Sequence, residues 1–356
     1  MHMADALISP AVGGGMWAAT AATLAYSAKR VTQEIDDRKV PLMGVLGAFI
    51  FAAQMINFTI PGTGSSGHLG GGMILTVLLG PYAAFLVTAS VLTVQALFFA
   101  DGGLLALGCN IFNLGFFPAF IAYPFIFKPL LGDKPTAGRL SLASIVAAIV
   151  GLQLGAFGVV LETVFSGISE LPFSTFVMIM QPIHLAIGIV EGLVTAAVLS
   201  FVWKARPEVM EMAAVHQPIG QISMKKVLVG LGIAAVFTGG VLSWFASSNP
   251  DGLEWSMFKV SGKKELEGTT GVHHSLGALR EKTAFLPDYG FKKAEHEGAA
   301  AEGAAKEEAA ETAAPWPAPD AGTTTAGIVG GILTMLVAVA IGFLLKKRET
   351  TRGAGA

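Results

Sequence analysis

Long runs of apolar residues alternate with short polar breaks along most of this chain. Nine of these runs are long enough to cross, or nearly cross, about 30 Å of hydrocarbon. They lie at 11–28, 40–57, 69–80, 82–100, 104–127, 141–165, 180–204, 226–246 and 326–345. The third run is short, and only Gly80 and Pro81 separate it from the fourth. The pattern predicts an all-α integral membrane protein, with a bundle of about seven transmembrane helices followed by two further transmembrane helices.

The composition supports this prediction and excludes other classes. Hydrophobic residues make up 53% of the 356 positions and charged residues 13%, whereas a soluble domain has about 25% charged residues. A net charge of −2 offers no broad basic face to nucleic acid. Cys109 is the only cysteine, which excludes an intramolecular disulfide and a two-cysteine metal knuckle.

The positive charges predict the orientation of the helices. If the N-terminus lies outside, 15 of the 23 Lys and Arg residues fall on the cytoplasmic side and the other 8 fall in one long outer loop. Every short outer loop then has no positive charge, as the positive-inside rule requires. Lys29 and Arg30 follow the first apolar run, whereas a cleaved signal peptide has its charges before the run. We predict a multi-pass protein of the cell (inner) membrane with an extracytoplasmic N-terminus and a cytoplasmic C-terminus.

The composition changes after Lys204, which divides the chain into four parts. They are a seven-helix membrane domain (1–204), a polar cytoplasmic linker (205–225), a two-helix block (226–345) with an extracytoplasmic loop (247–325), and a cytoplasmic tail (346–356). Within that loop the stretch 294–324 is rich in Ala and Glu, and its composition predicts a mobile tether.

The first two residues form a potential chelate for a metal ion. A large residue such as His2 normally protects the initiator methionine, so the mature chain would begin with the free amine of Met1. That amine, the backbone nitrogen of His2 and its imidazole can close two fused rings around one divalent ion. Square-planar nitrogen sets suit Ni(II) or Cu(II) better than Zn(II) or Mg(II). The alternative interpretation is that His2 is an ordinary residue at a frayed terminus.

A glycine-rich outer loop, residues 57–72, can supply a further nitrogen. Pro61 and the glycines prevent a helix here, and non-helical backbone at membrane depth is tolerated only where it is buried in protein or lines a cavity. The glycines around His68 leave room for another backbone, such as the N-terminal tail. We predict that His68 is a metal ligand; the alternative is a hydrogen-bonded loop histidine.

Several polar residues within or beside the apolar runs are candidates for a supporting role. Ionisable groups inside a membrane are costly and are functional candidates by default. His184 and Glu191 stand seven residues apart and therefore share one face of a helix. We predict that such residues orient a ligand or pack helices rather than bind the ion. The supporting candidates are Asn57, Asp101, Glu162, His184 and Glu191.

Three motifs within residues 1–210 resemble the membrane-embedded substrate-capture component of energy-coupling-factor cobalt and nickel transporters. They are the Met1-His2 start, the Gly67-His68 loop and the run from His184 to Gly192. Residues 226–345 resemble the small accessory subunit, or PDGLE domain, of the same systems, with the signature Pro250 to Glu254. The chain would then be a fusion of the two.

The resemblance implies a function and partners. A capture component of this family binds Ni(II) or Co(II) as its transported substrate through the Met1 amine, the backbone and imidazole nitrogens of His2, and the loop histidine, here His68. No cofactor is expected. The family works in the lipid bilayer with a transmembrane coupling subunit and two cytoplasmic ATPases. The chain has no GxxxxGK[ST] phosphate-binding loop of its own, which agrees with separate ATPases.

Two other functions are alternatives. One is a metal-dependent intramembrane enzyme that uses His184 and Glu191, although the chain has neither an HExxH nor a GxSxG motif. The other is a metal sensor, which would need a soluble effector domain that the sequence does not contain. The choice between nickel and cobalt is open at this point.

Overall fold

The computed structural model describes residues 2–169, 171–262, 268, 270–292 and 316–353. The predicted ligand Met1 and most of the predicted tether at 294–324 lie outside the described residues. Helices dominate the described part of the chain, in agreement with the prediction of an all-α membrane protein.

The helices and strands follow one another along the chain with short connections. In the described ranges the helices are α1 (Pro10–Val31), α2 (Lys39–Gln54), α3 (Gly72–Leu79), α4 (Pro81–Phe98), α5 (Leu107–Leu131, with a π-helical middle part at Phe112–Phe127), α6 (Ala137–Ser166), α7 (Phe173–Ala205), α8 (Pro207–Ala214), α9 (Lys225–Gly240), α10 (Gly252–Ser261), α11 (Gly271–Thr283) and α12 (Ala321–Gly353). Short single-turn helices lie at Asp5–Leu7, Leu242–Phe245 and Pro287–Tyr289. Strands β1 (Phe58–Ile60) and β2 (Ser65–Gly67) pair antiparallel. This hairpin lies in the predicted non-helical loop.

Each predicted apolar run coincides with a helix, but not every helix is long enough to cross a membrane alone. Those that are long and apolar enough, among the described residues, are α4, α5, α6, α7 and the part of α12 at 321–347. The predicted run 69–80 needs correction, because its helix covers only Gly72–Leu79 and is about 12 Å long. Gly80, with a φ of 80°, and Pro81 then divide α3 from α4.

Helix α2 packs against the helices of the two-helix block at 226–345, which is called the second block below. Both α9 and α12 pack on α2, and they also pack on each other. Two glycines of α2 permit this approach. A Cβ on Gly47 would lie 3.2 Å from Thr334, and a Cβ on Gly44 would overlap the side chain of Val339. Small residues let helix backbones come close in a membrane, so the second block is packed directly on the first.

The predicted linker, residues 205–225, is folded against the N-terminal end of α2, near Lys39. It contains α8 and then passes the α1–α2 turn, where the Gly220 N–H donates to the Asp36 carboxylate at 2.6 Å. In the same turn Lys39 and Glu34 form a buried ion pair at 2.9 Å. One end of α2 is therefore held by an ion pair and by a hydrogen bond to a carboxylate, while the other end leads into the glycine-rich loop.

Substitution of Gly327 tests how closely the two helices of the second block must approach. A Cβ on Gly327 would lie 2.7 Å from the carbonyl carbon of Gly239, so the two backbones would have to separate. We expect Gly327→Ala to lower the free energy of unfolding by about 1–3 kcal/mol. Gly331→Ala, one turn along the same helix, is the control, because its Cβ would lie 3.8 Å from Ala48. Thermal unfolding in detergent measures both variants, and equal melting temperatures would contradict this packing.

Candidate metal centre

The N-terminal tail, residues 2–9, is inserted into the bundle. The Met3 side chain is fully buried. The Met3 N–H donates to the side-chain oxygen of Asn110 at 2.9 Å, and the Met3 carbonyl accepts from the Asn110 amide at 3.2 Å. The same carbonyl accepts from the Gly103 N–H at 2.9 Å. Because its backbone groups are paired, this residue can be buried without the cost of unsatisfied donors and acceptors.

Asp5 anchors the tail a second time. Its carboxylate accepts hydrogen bonds from the backbone N–H groups of Leu104 at 3.2 Å and Ala106 at 3.0 Å. These amides lie just before the N-terminus of α5, and a helix N-terminus stabilises a nearby negative charge. Gly103 permits the contact, because a Cβ there would overlap Asp5. The tail ends at Ser9, whose hydroxyl accepts from Val12 and caps α1.

The inserted tail brings the imidazoles of His2 and His68 together. Their ring centroids lie 4.8 Å apart and their planes are inclined by 38°. The two side chains are 5% and 8% exposed. His2 Nδ1 lies 2.7 Å from the Asp101 carboxylate, and within the described residues His2 Nε2 is buried without a hydrogen-bond partner. Two of the predicted ligand residues are therefore neighbours.

Glu191 fixes the loop that carries His68. Its carboxylate accepts from the backbone N–H of Gly70 at 2.9 Å and of Gly71 at 3.1 Å. The Gln54 amide donates to the Gly70 carbonyl at 2.7 Å. Gly71 has a φ of 74°, which glycine adopts without steric cost. The Glu191 carboxylate thus binds loop backbone just after His68.

His184 approaches the same region from α7. Its Nδ1 lies 2.8 Å from the Met180 carbonyl, and its buried Nε2 has no partner in the part of the chain that the structure describes. The ring borders a small cavity together with His68 and Asp251. His184 and Glu191 therefore have different hydrogen-bond partners in the described part of the chain.

Asn57 and Glu162, the other two supporting candidates, lie in different surroundings. Asn57 lines a cavity of about 550 Å³ that His2 and His68 also border. The Glu162 carboxylate accepts from the Asn113 amide at 2.7 Å and so joins α6 to α5. The supporting roles of these residues toward an ion stay predictions.

The loop between the two helices of the second block reaches the candidate site. Asp251 Oδ2 lies 4.0 Å from His68 Nε2. The Tyr289 hydroxyl donates to the carboxylate of Asp101, which also contacts His2. Each imidazole thus has a nearby carboxylate. The carboxylate of Asp101 is hydrogen-bonded to Tyr289 of the second block, and Asp251 is itself a residue of that block.

His273 holds the tail from the same loop. It is buried, and its Nε2 lies 2.9 Å from the Ile8 carbonyl. Sequence reasoning missed this contact and the one between Tyr289 and Asp101, because the partners are separated by 265 and 188 positions. No local pattern marks His273 or Tyr289, whereas Asp251 lies within the PDGLE signature.

Burial and neighbouring groups determine the protonation states of two loop residues at the site. Burial lowers the pKa of His68 to about 3, so its imidazole is neutral and keeps a lone pair at neutral pH. Burial would raise the pKa of Asp101, but the charge of His2, together with hydrogen bonds from His2 and Tyr289, holds that pKa well below its usual range. Neutral imidazole beside an ionised carboxylate is a combination that suits a divalent metal ion.

Side chains alone do not make up a metal site here. Within the described ranges, no group of three or more His, Cys, Asp or Glu residues is arranged to hold an ion. The predicted chelate instead needs two backbone nitrogens, the amide of His2 and the amine of Met1, and Met1 lies outside the described residues. The complete ligand set therefore stays a prediction.

The long apolar helices and the two buried, adjoining imidazoles identify this chain as an integral membrane protein with a candidate site for a metal ion. Residues 2–209 match the family model described as cobalt uptake substrate-specific transmembrane region, and residues 225–347 match the PDGLE domain. The chain therefore belongs to this cobalt and nickel transport family of membrane proteins, with a PDGLE domain on the same polypeptide. The resemblance drawn from the sequence is confirmed.

Similar proteins carry the names of transport proteins rather than enzymes. A putative metal transport protein of Haloquadratum walsbyi is 37% identical over 210 residues, which cover 59% of this chain and 93% of that protein. The putative fused nickel transport protein NikMN of Archaeoglobus fulgidus is 33% identical over 237 residues, 67% of this chain and 76% of that protein. The probable fused nickel transport protein LarMN of Lactiplantibacillus plantarum is 30% identical over 268 residues, 72% of this chain and 78% of that protein.

The fold is also similar to that of a solved structure. A crystal structure described as a truncated transition metal transporter is 31% identical in sequence, with a TM-score of 0.52. The match covers 58% of this chain and 99% of that chain. The structural comparison thus agrees with the family assignment.

Gly103→Ala tests the anchoring of the tail. The added Cβ would overlap the carboxylate and the backbone nitrogen of Asp5, so the tail would have to leave its position. We expect the amides of residues 3–8 to exchange with deuterium about tenfold faster or more. Gly138→Ala is the matched control, because its Cβ would meet no atom within 4 Å. Mass spectrometry after hydrogen exchange measures both, and unchanged protection in Gly103→Ala would refute the anchoring.

Proposed function

We propose that this chain is the substrate-binding membrane subunit of an ATP-driven energy-coupling-factor importer for Ni(II) or Co(II). The ion is captured at the outer end of the bundle by the Met1 amine, the backbone nitrogen and imidazole of His2, and His68. The observation that carries this proposal is the contact of the two buried imidazoles, with 4.8 Å between ring centroids, at the end of the inserted tail.

The proposed chelate specifies which imidazole nitrogen of His2 binds the ion. Only Nδ1 can close a six-membered ring that includes the backbone nitrogen of the same residue. That atom lies 2.7 Å from the Asp101 carboxylate. Binding therefore includes a rotation of the His2 ring away from Asp101.

A divalent ion inside an apolar bundle also needs compensating negative charge. Loss of the His2 amide proton supplies one negative charge. The Asp101 carboxylate, beside His2, supplies another without binding the ion itself. These two negative charges balance the charge of a divalent ion, which the apolar surroundings would otherwise exclude.

Nickel is our first choice of substrate. The two relatives whose alignments extend furthest along this chain among those given above are both named fused nickel transport proteins. A planar set of nitrogen ligands also suits Ni(II). Cobalt stays in the proposal because the matching family model is described as a cobalt uptake region.

The chain depends on separate subunits for energy in this proposal. Its sequence has no phosphate-binding loop of the GxxxxGK[ST] type. We therefore include two cytoplasmic ATPases and a transmembrane coupling subunit as partners. ATP hydrolysis in those partners would reorient the bundle so that the ion leaves toward the cytoplasm.

An extension of several residues before Met1, removable by a site-specific protease, tests the N-terminal chelate. The extension converts the Met1 amine into an amide, so we expect affinity for Ni(II) to fall by about 100-fold or more, beyond the loss typical of outer-shell changes. A single added residue would be a poor test. It would make His2 the third residue, and an amine, two backbone nitrogens and an imidazole could then form another planar set.

The same preparation serves as its own control for this test. After the protease restores Met1 as the first residue, calorimetry with Ni(II) should again show one tightly bound equivalent. Equal binding before and after cleavage would exclude the Met1 amine as a ligand.

His68→Ala tests the transport function in cells that also produce the coupling subunit and ATPases. Loss of one of four ligands should reduce energy-dependent uptake of radioactive nickel by about tenfold or more. His274→Ala is the matched control, since His274 is an exposed residue of α11. Wild-type uptake by His68→Ala, or uptake that persists with inactive ATPases, would contradict the proposal.

A further inference from the structure

Asp251 belongs to the second block but faces the candidate metal centre of the first. Its Oδ2 atom lies 4.0 Å from His68 Nε2, and its side chain is 15% exposed. The next residue, Gly252, packs against Ile183 and His184, where a Cβ would overlap Ile183. The start of α10 is therefore pressed against the side of the site that carries His68.

A helix cap explains only part of this arrangement. Asp251 Oδ1 accepts hydrogen bonds from the backbone N–H groups of Leu253 and Glu254, both at 2.8 Å, and so caps α10. Asn and Ser cap helices as well as Asp does. Capping therefore does not require a negative charge, and it does not explain why the other oxygen of Asp251 is directed toward His68.

The position of Asp251 is fixed by backbone contacts as well as by the cap. Ser66, two residues before His68, donates its N–H to the Pro250 carbonyl at 2.8 Å and its hydroxyl to the Asn249 carbonyl at 2.8 Å. Ser66 and Asp251 also form a parallel β-bridge. The segment before α10 thus runs beside β2, and this contact sets the distance between the Asp251 carboxylate and the His68 ring.

The two imidazoles have carboxylates on different sides. Asp101 lies 2.7 Å from His2 Nδ1, whereas Asp251 lies 4.0 Å from His68 Nε2. Both carboxylates are therefore close enough to the two rings for their charge to attract an ion held between them.

We propose that Asp251 supplies negative charge to the ion bound by His2 and His68, so that the second block completes the capture site. This inference rests on the proposed function. Asp251 acts on the ion through its charge and its position beside His68, and affinity for the ion then depends on docking of the outer loop at 249–251.

Two substitutions of Asp251 separate charge from capping. Asp251→Asn keeps the cap and removes the charge, so we expect Ni(II) affinity to fall about 10- to 100-fold with little change in melting temperature. Asp251→Glu keeps the charge but is a poorer cap, so it should melt lower and yet bind Ni(II) more tightly than Asp251→Asn. Calorimetry with Ni(II) and thermal unfolding of the full chain in detergent measure both properties.

Glu254→Gln is the matched control for charge. Glu254, three residues after Asp251, borders the cavity of about 550 Å³ that His2 and His68 also border. The oxygen of a Gln side chain there can still accept the hydrogen bond from the Asp251 N–H. Its affinity for Ni(II) should equal that of the wild type. An equal loss of Ni(II) affinity in Asp251→Asn and Glu254→Gln would overturn the specific role of Asp251. Any negative charge beside the cavity would then have the same effect.

The remaining outcomes separate this inference from the proposed function. Tight binding by the wild type with unchanged binding by Asp251→Asn would overturn the role of Asp251 and leave the proposed function intact. Weaker binding by Asp251→Glu than by Asp251→Asn would also overturn it, because the cap and not the charge would then decide affinity. A wild-type chain that binds no Ni(II) would overturn both.

Discussion

The candidate site depends on the hydrogen bonds between Asn110 and the backbone of Met3. A tail that enters an apolar bundle brings N–H and C=O groups that cannot be left unpaired. Asn110 offers one donor and one acceptor, and it satisfies both groups of Met3 at 2.9 and 3.2 Å. The backbone of Met3 therefore holds the tail in place, and the His2 imidazole is positioned by its contacts with Asp101 and His68.

The same principle explains other buried polar residues of the bundle. Glu191 pairs with two amides of the loop after His68, and Gln54 pairs with a carbonyl of that loop. These helical residues support irregular backbone, which is allowed at membrane depth only when it is satisfied in this way. Their hydrogen bonds to the loop backbone offset their cost in an apolar environment, and the loop they hold carries the second imidazole.

Sequence reasoning was most successful where local pattern is sufficient. Apolar length located the helices, and the chemistry of a chain start together with a glycine-rich loop selected His2 and His68, which the fold places together. It was least successful for contacts between distant segments, such as Tyr289 with Asp101, because no periodicity encodes a pair separated by 188 positions. The extent of α3 was also missed, since hydropathy does not distinguish a buried loop from the helix that follows it.

A site built in this way can be dismantled without unfolding a transmembrane helix. His2 lies on the tail, His68 on a loop and Asp251 at the start of α10 in the loop of the second block, while the long helices carry supporting residues such as Glu191. A conformational change can release an ion only if the two states bind it with different affinity. Under the proposed function, small shifts of these three segments relative to one another would provide that difference, because each would contribute a separate part of the coordination or charge. The second block would then matter to release as well as to capture, since its contacts to Asp101, His68 and Ile8 would have to be lost or moved for the site to open.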